Sequence, residues 1–398
     1  MYLIFIINFL LAIATTIGMT IIPFLVTDSL GLSLLILGLI EGTTEFLSNL
    51  LRLTNGILFD NFKNKRIIFV SSIGMAFIAK LLLLMPSTLM VICSKTLERV
   101  SNGAFAAPRD AYVAEKAKNR GLALGLLGFS KSAGCILGPL TVSISTLFLG
   151  NLKNNLGSLV IFCCLLVLPA FMFSFTLNVK ALERSTFSVP EIRSIFKKIS
   201  PILGLIFLFF LGRFNDGLLM MYLKEKSFPE WFYLSTISVF NFTMLIVSPI
   251  IGSQIDRGHL KKMLYMSIIA LGIFGICFYQ LNVLTWSFAI LGLIAWGIQR
   301  TGAQIVFASL TFNSVDKAHY GTAIGLFYIV SGFATMLSSF FCGYMTQIYF
   351  PAVFILSTCC SISALVFAVN IFNNHLPLKS KFNDAYGTNN LLLNSKSN

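Results

Sequence analysis

The sequence predicts an all-α integral membrane protein whose twelve transmembrane helices form two pseudo-symmetric six-helix bundles. Three observations carry that expectation. The 398-residue chain is 56% hydrophobic and 11% charged, with a mean hydropathy of +0.85, whereas soluble domains carry about 25% charged residues. A soluble fold of this length has too little interior to hide so much apolar side chain. Apolar runs long enough to cross a bilayer recur along the whole chain. Finally, "GILFDNFKNKR" at 56–66 and "GSQIDRGHLKK" at 252–262 repeat one pattern: Gly, Asp four residues later, and a basic pair nine and ten later.

The net charge of +14 does not point to nucleic acid. The basic residues sit in short loops between apolar runs, and no basic, aromatic-interleaved soluble domain is present to hold a strand. Eight cysteines all fall within apolar runs, none in a C-x-x-C arrangement. They read as small apolar filler rather than as a disulfide or zinc framework, so neither metal nor cofactor is expected. The first apolar run lacks a basic n-region and a small-residue cleavage site and is too long for a signal-peptide core. It is expected to be a retained membrane helix.

At roughly 20 apolar residues per crossing, spans are expected near 3–27, 33–59, 66–85, 88–108, 120–148 and 156–177. A second six are expected near 200–223, 231–255, 262–281, 283–311, 320–347 and 349–372. With the N-terminus inside, nineteen lysines and arginines fall in inside segments, against only Lys153, Lys224 and Lys226 outside. The positive-inside rule then places both termini in the cytoplasm and the protein in a cytoplasmic (inner) membrane. The domain expectation is a first bundle over 1–177, a cytoplasmic linker over 178–199, a second bundle over 200–373 and a disordered tail over 374–398. Within the linker, "SVPEIRSIFKKI" reads as an amphipathic helix. Ser188 and Glu191 have capping-box spacing, Pro190 sits in the first turn, and Val189, Ile192, Ile195, Phe196 and Ile199 share an apolar face.

The halves also match where the fifth and eleventh spans open, "GLALGLL" at 121–127 against "GTAIGLF" at 321–327. Two related six-helix halves joined by a long linker match a transporter plan with the substrate site between the halves. Gly56, Asp60, Lys65 and Arg66, and Gly252, Asp256, Arg257, Lys261 and Lys262, resemble the paired inside loops of the major facilitator superfamily. "RVSNGAFAA" at 99–107 resembles its fourth-helix pattern. "GCILGP", with Gly134, Gly138 and Pro139, resembles the fifth-helix pattern common in its exporters. Asn61 and Lys63 depart from the first-loop pattern, and Thr141, Val142 and Ser143 replace the small pair usual after the proline. The resemblance spans essentially the whole chain. It implies alternating access, and a latch in which Asp60 caps the helix beginning near Tyr320 and Gly321 when the inside is shut. Lys63, Lys65 and Arg66 read mainly as topology determinants.

Eleven charges fall within the expected spans: Glu41, Glu45, Arg52, Lys80, Lys95, Glu98, Arg99, Lys131, Arg213, Asp216 and Arg300. Each costs about 2.5–3.5 kcal/mol at a helix centre on insertion scales, so each should face the bundle interior or snorkel. Glu41 and Glu45 share a face at i, i+4. Desolvation and mutual repulsion disfavour charging both at once, which suits a site that picks up and releases a proton. The alternative is that they pair with Lys80 or Arg52. Glu41, Glu45, Glu98 and Asp216 are thus the proton-coupling candidates. Lys95 can pair with Glu98, and Arg213 with Asp216, at i, i+3. Arg99, Lys131, Arg213, Asn215, Gln299 and Arg300 are the substrate-cavity candidates. Seven cations against four acids favour an anionic or zwitterionic cargo.

The expected function is secondary transport of a small organic solute by proton-coupled antiport, outward. The alternative is a proton symporter or facilitator importing an anionic or zwitterionic solute. A membrane enzyme fits poorly, because His259, His319 and His375 lie in separate segments without metal or triad spacing. No Walker-type loop supports an ATP-driven pump. The expected partners are the solute, protons and lipid, with the chain working as a monomer.

Overall fold

Backbone in hydrocarbon must satisfy its own hydrogen bonds, so an apolar run of crossing length has one solution, the helix. The computed structural model describes residues 2–61, 65–85, 87–116, 120–176, 189–281, 285–315 and 319–374. Its first half contains α1 (Tyr2–Phe24), prolonged by a π-helical turn over Leu25–Ser29, then α2 (Leu34–Asn61), α3 (Lys65–Leu82), α4 (Thr88–Lys116), α5 (Arg120–Leu149) and α6 (Leu152–Ser174). The second contains α7 (Val189–Leu211) and α8 (Asp216–Glu225), two pieces of one span. After them come α9 (Glu230–Asp256), α10 (Leu260–Tyr279), α11 (Trp286–Asn313), α12 (Tyr320–Ile348) and α13 (Ala352–Asn374). Six spans stand in each half, and no strand occurs among the described residues. Among the described residues, ten spans are long and apolar enough to cross a membrane on composition alone. The other two are α3 and α4, the latter carrying Lys95, Glu98 and Arg99 in its middle.

The packing repeats as the sequence does. In the first half α1 lies on α5 and α6, α3 on α4 and α6, and α2 on α4. In the second, α7 lies on α12 and α13, α10 on α11 and α13, and α9 on α11, each contact the counterpart of one in the first half. The halves meet through the pairs α2 with α12 and α5 with α9, which exchange under the same correspondence. One end of the bundle carries the segment joining α6 to α7 and is termed the linker end; the other is the far end.

The expected linker helix is not a separate element. Residues 177–188 lie outside the described residues, but from Val189 the chain is helical without interruption to Leu211. The boundary expected at 200 therefore falls inside a helix. The reason is periodicity: buried Ile195 and Ile199 continue in helical register into buried Ile202, Leu203 and Ile206. That face is covered by protein rather than laid on the membrane, while Phe196 points outward. The tail from 375 also lies outside the described residues.

The glycines of the α5 motif are explained by the approach of α1. A Cβ on Gly134 would stand 2.7 Å from the Phe9 carbonyl oxygen, and one on Gly138 would stand 2.1 Å from Thr16 Oγ1 and 2.7 Å from the Ile13 carbonyl oxygen. Small residues let the two backbones pack closely where lipid offers no hydrophobic drive to associate. Pro139 sits inside α5 directly after them. Gly138→Val should overpack this contact and destabilise the first half by about 1–3 kcal/mol. Gly128→Ala, on the same helix but facing open space, should cost nothing. Thermal unfolding of the purified chain in detergent measures both.

Candidate functional site

The least apolar span, α4, is held in the first half by burying its charges against two neighbours. Lys95 turns to α2, its Nζ 2.6 Å from Glu41 Oε1. Glu98 turns to α3, its Oε1 2.5 Å from Lys80 Nζ. Lys80, Lys95, Glu98 and Glu41 are all buried. The local Lys95–Glu98 pair expected at i, i+3 does not form, because each finds a partner on another helix. Arg99 bridges the two glutamates of α2, with Nη1 2.9 Å from Glu45 Oε2 and Nη2 3.7 Å from Glu41 Oε2. Glu41 thus pairs with Lys95 and Arg99 rather than with Lys80. The Lys80–Glu98 pair sits against α1 at Gly18, where a Cβ would stand 2.6 Å from Lys80 Nζ.

The second half supplies a different construction. Its first span breaks at 212–215, between α7 and α8. Asn215 caps the new helix, its Oδ1 accepting from the Leu218 N–H at 2.9 Å. Asp216 therefore stands in the first turn of α8, where the helix dipole favours a carboxylate. Arg300 Nη1 donates to both its oxygens, at 2.5 and 2.6 Å, and Trp296 Nε1 donates to Oδ1 at 3.1 Å. The Arg213–Asp216 pair expected at i, i+3 fails because no helix joins the two residues. Arg213 instead lies over the Phe210 ring, 4.8 Å from its centroid. Several buried polar atoms here have no hydrogen-bond partner among the described residues: Arg213 Nε, Asn215 Nδ2, Arg300 Nε and both amide atoms of Gln299. Gln299, expected in the cavity wall, is fully buried.

The two constructions face each other. Arg99 feels the charge of Asp216 as well as those of Glu45, Glu41 and Glu98, and Arg213 feels Glu45 of the first half. Lys131 is exposed on α5. Its charge and that of Arg300 both reach Cys135, one turn further along α5, so that face of α5 is turned toward the second half. The Glu45 side chain is 31% exposed and that of Arg300 22%, so neither is fully enclosed by its ion pair.

The halves are fastened at the far end. Asp28, after α1, is ion-paired with Lys224, near the end of α8. Phe24 stacks on Tyr233, Ser143 Oγ donates to the Trp231 carbonyl at 2.7 Å, and the Leu152 N–H donates to Glu230 Oε1 at 3.2 Å. The clasp was missed in the sequence, although a signal was there. Asp28 and Lys224 are 196 residues apart, the same offset that relates the two charged loops. Equivalent positions meet across a pseudo-two-fold axis, as in any self-complementary interface. Trp296 was also missed; it lies one helical turn before Arg300 and shares its face.

In the charged loops, Asp256, Arg257, Lys261 and Lys262 are exposed at the linker end, and Lys261 lies over the Tyr265 and Phe372 rings. Gly252 faces open space. The side chains at 52–66, and with them the expected Gly56, Asp60, Lys65 and Arg66 latch and the membrane charge Arg52, lie outside the described residues. Among the described residues no cluster of His, Cys, Asp and Glu is arranged to hold a metal ion.

Comparison with known proteins agrees with this geometry. The family model for the Major Facilitator Superfamily matches residues 4–339 and 231–393. An MFS-type transporter of Methanocaldococcus jannaschii is 28% identical over 366 residues, covering 87% of this chain and 88% of that one. The crystal structure of a mutant form of the nucleoside transporter NupG superposes with a TM-score of 0.80 at 13% identity, covering 93% of this chain and 99% of that one. A POT family transporter superposes with a TM-score of 0.74 at 11% identity, covering 93% and 94%. At these identities the structural likeness shows the fold alone.

Lys80→Met leaves Glu98 charged, buried and without its cation, at an expected cost of about 3–5 kcal/mol. Adding Glu98→Leu should recover most of that loss, because an apolar pair needs no desolvation. A double-mutant cycle on the thermal stability of the purified chain checks this. Equal losses in the single and double variants would show that the pair is not what holds α3 to α4.

Proposed function

Because the chain belongs to the Major Facilitator Superfamily, and is therefore a multi-pass membrane transporter rather than an enzyme, we propose that it moves a small organic solute by proton-coupled antiport. The solute leaves across a cytoplasmic membrane, with both termini on the cytoplasmic side. The observation that carries this reading is the charged cluster divided between the halves, with Glu41, Glu45 and Arg99 on one side and Arg213, Asp216 and Arg300 on the other. A rocking motion of one half against the other must remake the interactions across that divide. Closure of the far end by the Asp28–Lys224 clasp supports a state whose site communicates with the linker end. The α5 glycine pattern, common in exporters, supports the outward direction.

Among the four acids, Glu45 fits the proton-carrying role best. Asp216 has both oxygens bound by Arg300, and Glu41 and Glu98 are buried with their cations. Glu45 alone combines partial exposure with a shared cation, Arg99. Protonating it would leave Arg99 to Glu41 and change the field that acts on Arg213 across the divide. In the opposite state the exposed loops at the linker end would close, with Asp60 as the latch toward α12 and Gly252, Asp256, Arg257, Lys261 and Lys262 as its counterpart.

A growth screen of a deletion strain and an overexpressor against toxic compounds and nutrients identifies the cargo. Overexpression should lower its intracellular accumulation, and accumulation that rises instead would reverse the direction. In proteoliposomes, collapsing the pH gradient should abolish accumulation of that compound, and undiminished accumulation would exclude proton coupling. Glu45→Gln should remove the pH dependence of exchange while expression stays normal.

A further inference from the structure

We infer that the cargo is a small organic monoanion whose oxyanion is held by Arg213, beside the break between α7 and α8, with Asn215 as a neighbouring donor. The inference rests on the transporter reading and specifies the chemistry of its site. The central cluster holds five cations, Lys80, Lys95, Arg99, Arg213 and Arg300, and four acids, Glu41, Glu45, Glu98 and Asp216. Every acid is ion-paired: Glu98 to Lys80, Glu41 to Lys95 and Arg99, Glu45 to Arg99, and Asp216 to Arg300. Arg213 is the cation of this cluster with no carboxylate within ion-pair distance among the described residues. An uncompensated guanidinium within a membrane span is expensive, and one carboxylate or other singly charged oxyanion compensates it.

Three unmet donors at the break point the same way. Arg213 Nε, Asn215 Nδ2 and Arg300 Nε are all N–H donors without acceptors, and all belong to the break or to the α11 residue tied to it through Asp216. Buried donors without acceptors cost free energy until something accepts from them, and an oxyanion accepts from several at once. Guanidinium geometry suits it, since two N–H groups meet two oxygens in one plane. The Phe210 ring, with its centroid 4.8 Å from the Arg213 guanidinium carbon, offers an apolar surface beside the charge. A cationic cargo would meet Arg213 as a like charge. A neutral one would leave its charge uncompensated.

The purified full chain in detergent can be tested by thermal stabilisation. Suitable probes are monoanions (lactate, pyruvate, salicylate), dianions (succinate, malate), neutral solutes (uridine, glucose) and cations (choline, ethidium). The expected result is stabilisation confined to monoanions, with apparent affinity falling about tenfold to a hundredfold in Arg213→Gln and less far in Arg213→Lys, which keeps the charge but loses the planar pair of N–H groups. Stabilisation by neutral or cationic probes only, by none of the monoanions, or equally in wild type and Arg213→Gln would overturn the inference. Transport of the stabilising monoanion into proteoliposomes separates the two readings. Binding without transport would fault the transporter mechanism, whereas transport of a neutral solute undisturbed by Arg213→Gln would fault only the assignment of the anion.

Discussion

A charge that must live inside a bilayer has to find its opposite, and much of this fold is arranged around that constraint. Lys95 and Glu98, three residues apart on α4, are satisfied in different directions, by Glu41 on α2 and by Lys80 on α3. These pairs draw two helices of the first half, α2 and α3, against α4, a span too charged to sit against lipid. Gly18 on α1 keeps the space that the Lys80–Glu98 pair occupies. In the second half one pair does comparable service: Arg300 reaches Asp216 and joins α11 to the start of α8. Buried pairs of this kind return little net stability over a well-packed apolar alternative, and each of them joins helices within one half.

The broken span makes the second construction possible. A continuous helix would set Arg213 and Asp216 one turn apart on one face, and the two would neutralise each other. The interruption at 212–215 provides a helix N-terminus for Asp216 and directs that residue to Arg300 and Trp296. Arg213 is left over an aromatic ring, and the charge that distinguishes this site from a set of closed ion pairs follows from four residues of non-helical backbone.

Much of the architecture was legible in the sequence, because bilayer thickness turns apolar run length into helix length and the duplicated loops reveal two halves. The five packing contacts in each half that mirror one another follow from that duplication. The membrane charges were legible as a set, since eleven charged residues in apolar runs stand out. Their partners were not. Spacing along one helix suggested Lys95 with Glu98 and Arg213 with Asp216, whereas the contacts that form are between helices, and a one-dimensional pattern does not carry the rotation of one helix against another. The break before Asp216 was hidden as well, since Gly212 and Asn215 are tolerated inside apolar spans. The continuity of α7 was missed for the converse reason: a polar face followed by an apolar run looked like two elements, while Ile195, Ile199, Ile202 and Ile206 already formed one stripe.

The central claim is that Glu45, sharing Arg99 with Glu41, is where a proton enters the charged cluster. Infrared titration of the full chain in lipid reads carboxyl protonation directly. The account predicts one carboxylic acid band that appears and disappears reversibly over the pH range in which exchange operates and is absent from Glu45→Gln. A band that survives that substitution, or a chain in which no membrane carboxyl titrates over that range, would contradict it.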